Sequence, residues 1–216
     1  MDFNHEHKSS WPLWTSLAFG LVFLLWLLLV VTKSAFISGF DQTLISALAV
    51  RSAGAIIFAK TFTNLGNTST ILVITVVAFA LLLWRRHRAA AFFLAGSEIL
   101  TAGCNFVLKH LVKRARPSVQ HLVAAHGYSF PSGHSASSMT VFICLLIIAY
   151  FLIKNEKWRW TAMLASFSVP FIIGWTRITV HVHFPSDVLG GFLEGLTFVF
   201  LVFYFFKPTL TRHKRR

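Results

Sequence analysis

The stretch from 131 to 153, PSGHSASSMTVFICLLIIAYFLI, opens on a proline, two small residues and a histidine and continues as a long apolar run. A proline and small residues ahead of such a run read as a helix start. The run itself, 134–153, is long enough to cross a bilayer, which takes about 20 mostly apolar residues. Five further runs meet or approach that length: 12–32, 69–84, 89–108, 161–178 and 187–206. The one at 69–84 is short within those limits and is expected to begin near Leu65. The expected fold is therefore all-α: a polytopic membrane protein of six transmembrane helices, with residues 1–216 forming a single membrane-embedded domain. Residues 33–68 are mixed in character. Phe36, Phe40, Leu44 and Leu48 recur there at four-residue spacing. That pattern fits an amphipathic surface helix between spans one and two, or a loop helix packed on the bundle.

Composition agrees. The chain is 56% hydrophobic and 12% charged, where a soluble domain carries about 25% charged residues. The net charge of +13 does not indicate nucleic acid, because the cations sit at the ends of apolar runs and not along one soluble face. Cys104 and Cys144 lie inside apolar segments, which argues against a disulfide scaffold or a thiolate metal site and for small core residues. The first run, 12–32, is longer than the 7–15 residues of a signal-peptide core and lacks a clear cleavage site, so it is expected to stay as a span.

Orientation follows from the placement of Lys and Arg. With the N-terminus in the cytoplasm, the inner segments hold twelve and the outer segments eight. Five of those eight, Lys109, Lys113, Arg114, Arg116 and Arg177, belong to three short blocks at the outer ends of spans. Setting them aside leaves twelve against three. Both termini are then expected on the cytoplasmic side of a cell membrane, with the three blocks at its outer face. The five outer cations run against the rule, which points to a functional demand for them.

The three blocks are Lys109–Pro117 (KHLVKRARP), Pro131–His134 (PSGH) and Thr176–Asp187 (TRITVHVHFPSD). A phosphate monoester carries nearly two negative charges at neutral pH. Arginine meets its oxygens with a planar fork and lysine as a point charge. Lys109, Lys113, Arg114 and Arg116 suit such a ligand, though the same four would also serve as a rim of cations against lipid headgroups. At the start of the 134–153 helix, backbone N–H groups can cradle phosphate. Ser132 adds a hydroxyl there, Gly133 lets the backbone come close, and His134 stands where it could exchange a proton with a bound ester. In the third block Asp187 lies four residues after His183, with Pro185 opening the sixth helix between them. A carboxylate on one imidazole nitrogen fixes the tautomer and frees the other nitrogen to attack. His181, His183 and Asp187 as metal ligands is the rival reading, and the surrounding cations oppose it.

Taken together, the blocks resemble the type 2 phosphatidic acid phosphatases, whose motifs are Lys-x6-Arg-Pro, Pro-Ser-Gly-His and Ser-Arg-x5-His-x3-Asp. Here Lys109 is followed after six residues by Arg116-Pro117, and Pro131-Ser132-Gly133-His134 matches outright. Arg177, His183 and Asp187 keep the third spacing, with Thr176 in place of the serine. The resemblance implies an integral membrane lipid phosphatase that uses no metal and no cofactor. It implies that His183 is the nucleophile and forms a phosphohistidine, that Asp187 orients it, and that His134 protonates the leaving group and then activates water. Lys109, Arg116, Arg177, Ser132 and Gly133 would hold the phosphoryl oxygens. Lys113 and Arg114 are not fixed by the family. As free cations they would favour a substrate with more than one phosphate.

Two acids fall inside expected spans. Glu98 lies three helical turns before Lys109 and on its face, and Glu194 shares a face with Asp187. Both are expected to point into the bundle, as a proton path or headgroup contact or as an interhelical hydrogen bond. Gly190, Gly191 and Gly195 read as close helix-packing positions. The expected partners are a lipid phosphate and the bilayer, not nucleic acid. Undecaprenyl pyrophosphate, phosphatidylglycerophosphate and phosphatidic acid all fit the site chemistry. A non-catalytic lipid or anion transporter would not need both histidines and the aspartate. A vanadate-type peroxidase shares the motifs but is soluble.

Overall fold

In the computed structural model, which describes residues 9–50 and 52–214, the apolar runs form helices and no strand is found among the described residues. Helices α1 (Trp11–Val31), α2 (Ala35–Ala47), α3 (Ala53–Phe62), α4 (Thr68–Trp84), α5 (Arg88–Val112), α6 (Gly133–Leu152), α7 (Glu156–Thr179) and α8 (Pro185–Lys214) follow in order, with a 3-10 turn at Thr63–Gly66 ahead of α4. Five of these, α1, α5, α6, α7 and α8, are long and apolar enough to cross a membrane. The expected second span differs from the others. At 17 residues α4 is short, and a sixth span exists only if it is counted with the segment Ala53–Gly66, from which it is bent by 52°. The break falls at Asn67, whose extended backbone (φ −61°, ψ 145°) interrupts the helix and whose side chain meets His134.

With α3 counted as the first limb of that broken span, one helix, α2, lies between spans one and two. The expected stripe Phe36, Phe40, Leu44, Leu48 is not the buried face of α2. Ile37 and Asp41 are buried instead, while Phe36 is 59% exposed. Trp26 of α1 holds the helix from the side, its ring edge-on to Phe40 at 5.1 Å and to Phe36 at 6.2 Å.

Helix α6 packs against α5, α7 and α8 and carries much of the core, with Met139, Val141 and Cys144 sealed from solvent. The α6–α8 crossing depends on glycine. A Cβ on Gly191 would stand 2.6 Å from the Ser132 carbonyl oxygen, and one on Gly195 would stand 2.8 Å from that of Ala136. Both obstacles are backbone atoms that cannot step aside, so the helices approach this closely only because side chains are absent. This contact brings the start of α8 against the start of α6, and with it Asp187 beside Ser132: the Ser132 N–H donates to the Asp187 carbonyl oxygen at 3.0 Å.

Candidate active site

The ends of α5 and α7 and the starts of α4, α6 and α8 meet at one end of the bundle, joined there by the loop 113–132. The spacing of the third block is the geometry of one helix stopping and the next beginning. Helix α7 closes with a Schellman motif: the His181 N–H donates to the Ile178 carbonyl and the Val182 N–H to that of Arg177. His181 supplies the left-handed residue this turn needs, at φ 63°. Its ring is exposed and bonds the Gln120 carbonyl at 3.1 Å, away from His183. Helix α8 then starts at Pro185, and Asp187 at its third position reaches back to accept from the Phe184 N–H at 2.8 Å. This is the acidic half of a capping box. The same carboxylate oxygen lies 3.5 Å from His183 Nδ1.

The tautomer of His183 follows from its neighbours. Arg116 Nη1 stands 3.2 Å from His183 Nε2. A guanidinium can only donate, so Nε2 presents its lone pair and the proton sits on Nδ1, facing Asp187 and Ser129 Oγ (3.3 Å). His183 is 3% exposed. Burial pushes its pKa down to about 3 against the opposing pull of Asp187, with Arg116 and Arg177 lowering it further. The imidazole is therefore neutral at physiological pH, with a lone pair on Nε2. Burial also lowers the pKa of Arg116, which Asp187 partly offsets. Asp187 itself is saturated. One oxygen accepts from Arg114 Nη1 at 2.7 Å, and the other from Ser129 Oγ and the Phe184 N–H.

A cavity of about 730 Å³ opens from this point, within the range of about 300–1,000 Å³ usual for small-ligand sites. Lys109, Arg116, Gly133, His134, Arg177 and His183 all line its polar end. Arg177 is 3% exposed; Nη1 donates to Thr63 Oγ1 at 2.8 Å, and Nε has no partner. A buried cation so sparsely paired is expensive without an anion. Lys109 Nζ donates to the Tyr128 carbonyl at 3.1 Å, and Arg116 is braced by the carbonyls of His126, Gly127 and Val182. His134 Nε2 donates to Asn67 Oδ1 at 2.8 Å, because the other end of that amide already donates to Asn64. The far end of the cavity is apolar, with Ile71, Leu72, Val76, Phe79 and Ile99 among its walls.

Three expected residues sit differently. Arg114 is not a free cation: it bonds Asp41, Ser186 and Asp187 and does not line the cavity, so the argument from it for a second phosphate falls. Lys113 ends α5 in a left-handed conformation and is exposed. Ser132 caps α6, accepting from the Ser135 N–H and hydroxyl; it is fully buried and also lies outside the cavity lining. Of the two acids, Glu194 accepts from Asn105 Nδ2 at 2.7 Å, the interhelical bond anticipated. Glu98 lines the cavity together with Ser137. Among the described residues no group of three or more His, Cys, Asp or Glu side chains could hold a metal ion. Asn67, Ser129, Asp41 and Thr63 were not anticipated. No motif spacing links them to the blocks, and only the helix starts around Asn67 and Ser129 could have hinted at two of them.

Residues 90–210 match the PAP2 superfamily. Phosphatidylglycerophosphatase B of Bacillus subtilis (strain 168) is 34% identical over 147 residues, covering 65% of this chain and 70% of that protein. An undecaprenyl-diphosphatase of Sulfolobus acidocaldarius is 28% identical over 131 residues, covering 58% of this chain and 59% of that one. The crystal structure of a transmembrane PAP2-type phosphatidylglycerolphosphate phosphatase from Bacillus subtilis superposes with a TM-score of 0.78 at 28% identity, over 90% of this chain and 97% of that one.

Proposed function

The chain belongs to the PAP2 superfamily, and from that premise we propose that it hydrolyses a lipid phosphate or pyrophosphate through a phosphohistidine on His183. The observation that carries the reading is the direction of His183: Nδ1–H faces Asp187, while the Nε2 lone pair meets Arg116 Nη1 in the wall of a cavity that Arg177 and Lys109 also line. The phosphoryl oxygens lie against those three cations and the Gly133 N–H at the start of α6. Nε2 attacks phosphorus, and the bond from phosphorus to the lipid oxygen breaks. The negative charge of the entering phosphate lets His134 take up a second proton, and this imidazolium delivers the proton that the departing oxygen needs. Water, relieved of a proton by His134, then attacks the phosphohistidine and releases inorganic phosphate. Preorganised cations of this kind supply the largest share of catalysis in most such sites. The apolar far end of the cavity accepts the lipid chain.

The test is a panel of phosphatidylglycerophosphate, phosphatidic acid and undecaprenyl pyrophosphate, assayed for phosphate release with EDTA present. At least one should turn over at an undiminished rate in chelator. Turnover that stops with EDTA and returns with Mg²⁺ would rule the route out.

We place both termini in the cytoplasm and the site at the outer face of the cell membrane, on the twelve-to-three cation bias. Ser118→Cys and His87→Cys, each in a chain without Cys104 and Cys144, should then label from opposite sides. Labelling of Ser118→Cys from the cytoplasmic side alone would invert the topology.

A further inference from the structure

We infer that Asp41 on α2 is a positioning residue for the reaction: together with Arg114 it forms a charge clamp behind Asp187 that keeps one net negative charge against His183. The inference rests on the phosphohistidine reading of His183. Asp41 lies outside the residues that match the family, 90–210, on a helix whose outward side carries the exposed Phe36. It is nonetheless 5% exposed. A helix that only had to lie against the bundle would not need a buried carboxylate there, since burying one is costly unless it is fully paired.

Its pairing is complete and leads to the site. One oxygen of Asp41 accepts from the Ser186 N–H at 2.8 Å, capping α8 from another helix. The other accepts from Ser186 Oγ and from Arg114 Nη2, both at 2.8 Å. Arg114 Nη1 donates in turn to Asp187 Oδ1 and Ser186 Oγ, each at 2.7 Å, and the guanidinium stacks over Phe184 at 4.4 Å. The Trp26 indole N–H fixes the Ser186 carbonyl at 2.9 Å. Asp187 can therefore not rotate away from His183 without breaking this set.

The charges decide why a second carboxylate is present. Arg114 paired with Asp187 alone is neutral. His183 gains positive character when Nε2 bonds phosphorus, and its other charged neighbours are Arg116 from the loop and Arg177 from α7, with Lys109 of α5 and His134 of α6 in the same cavity wall. All of these oppose that gain except the carboxylate side. Asp41 cancels Arg114, so that Asp187 keeps its negative charge for the imidazole.

The test compares phosphoenzyme formation in a single turnover, using the lipid phosphate that the wild-type protein hydrolyses fastest. Asp41→Asn keeps the shape and the acceptor for the Ser186 N–H but removes the charge, with an amide nitrogen in place of the oxygen that accepts from Arg114 and the Ser186 hydroxyl. It should slow phosphoenzyme formation by about tenfold or more, the size expected of a unit charge acting through an effective dielectric near 20, and leave KM nearly unchanged. Arg114→Gln raises the negative charge instead, so His183 takes up a proton more readily. Its activity should fail at a higher pH on acidification than that of the wild type, with the substrate's own titration common to both. Asp41→Asn/Arg114→Gln restores the net charge and should bring both properties back toward wild type. A purely architectural role predicts the reverse: two losses alike in kind and a double variant worse than either.

Wild-type phosphorylation in Asp41→Asn, or an acid limit in Arg114→Gln that does not rise, overturns the clamp. If Asp41→Asn does not fold in detergent, the acid limit of Arg114→Gln decides alone. If neither single variant folds, the double variant decides, by forming phosphoenzyme near the wild-type rate or failing to. A wild-type protein that forms no phosphoenzyme would overturn the phosphohistidine reading and the clamp with it, an outcome distinct from failure of the clamp alone.

Discussion

His183→Ala should reduce phosphate release by on the order of 10⁶-fold, the scale seen when a nucleophile acting as part of a unit is removed. The protein should remain folded in detergent. Asp187 keeps its bonds to Arg114, Ser129 and the Phe184 N–H, so the start of α8 is still held. Lipid phosphate should still bind, because Lys109, Arg116 and Arg177 stay in the cavity wall. The loss therefore belongs to the chemical step, and a binding assay on the variant should give an affinity close to wild type. Near-normal turnover would remove His183 from its role.

His134→Ala separates proton transfer from attack. A lipid alcohol is a poor leaving group and must be protonated as its bond breaks, whereas nitrophenolate leaves as a stable anion. General acid catalysis is worth about 10²–10⁴-fold. The variant should lose a factor of that order in its single-turnover phosphorylation rate with the lipid phosphate, and far less with p-nitrophenyl phosphate. His183→Ala should lose both equally. Single-turnover rates are required because His134 also activates water in the second step. Equal losses with both esters in His134→Ala would make it a phosphate ligand and not a proton donor.

The sequence made legible what depends on local pattern. Runs of apolar residues located α1, α5, α6, α7 and α8, because a span is set by length and hydropathy alone, but α7 begins five residues before its expected start at 161 and α8 runs eight residues past its expected end at 206. The short α4 with its 52° bend was foreshadowed only as a run that fell short, and the fold resolves it by breaking at Asn67. The Arg177–His183–Asp187 spacing was readable because it is local: a Schellman stop, a short turn and a capped start fix all three side chains with little help from elsewhere. The small residues of α8 likewise announced a close crossing, which Gly191 and Gly195 make against backbone oxygens of α6.

What the sequence concealed is what depends on contacts between distant segments. Arg114 read as a spare cation, since nothing in its neighbourhood shows that Asp41, 73 residues away, will claim it. Ser132 read as a phosphate donor from its place beside Gly133. The demand of α6 for an N-cap and the approach of α8 turn it inward. On α2 the four-residue spacing of Phe36, Phe40, Leu44 and Leu48 suggested the buried stripe. In a membrane an apolar stripe need not face the protein, and the buried side is chosen by Ile37 and the polar partners of Asp41.

The central claim is that phosphorus becomes bonded to His183 during turnover. It is tested most directly by trapping: wild-type protein is mixed with ³²P-labelled lipid phosphate in EDTA, quenched in alkali within one turnover, and digested. The account predicts one phosphoryl group, stable to alkali and labile to acid, on the peptide that contains His183, and none in His183→Ala. Label on another residue, or full single-turnover phosphate release with no labelled peptide at any time, would contradict it.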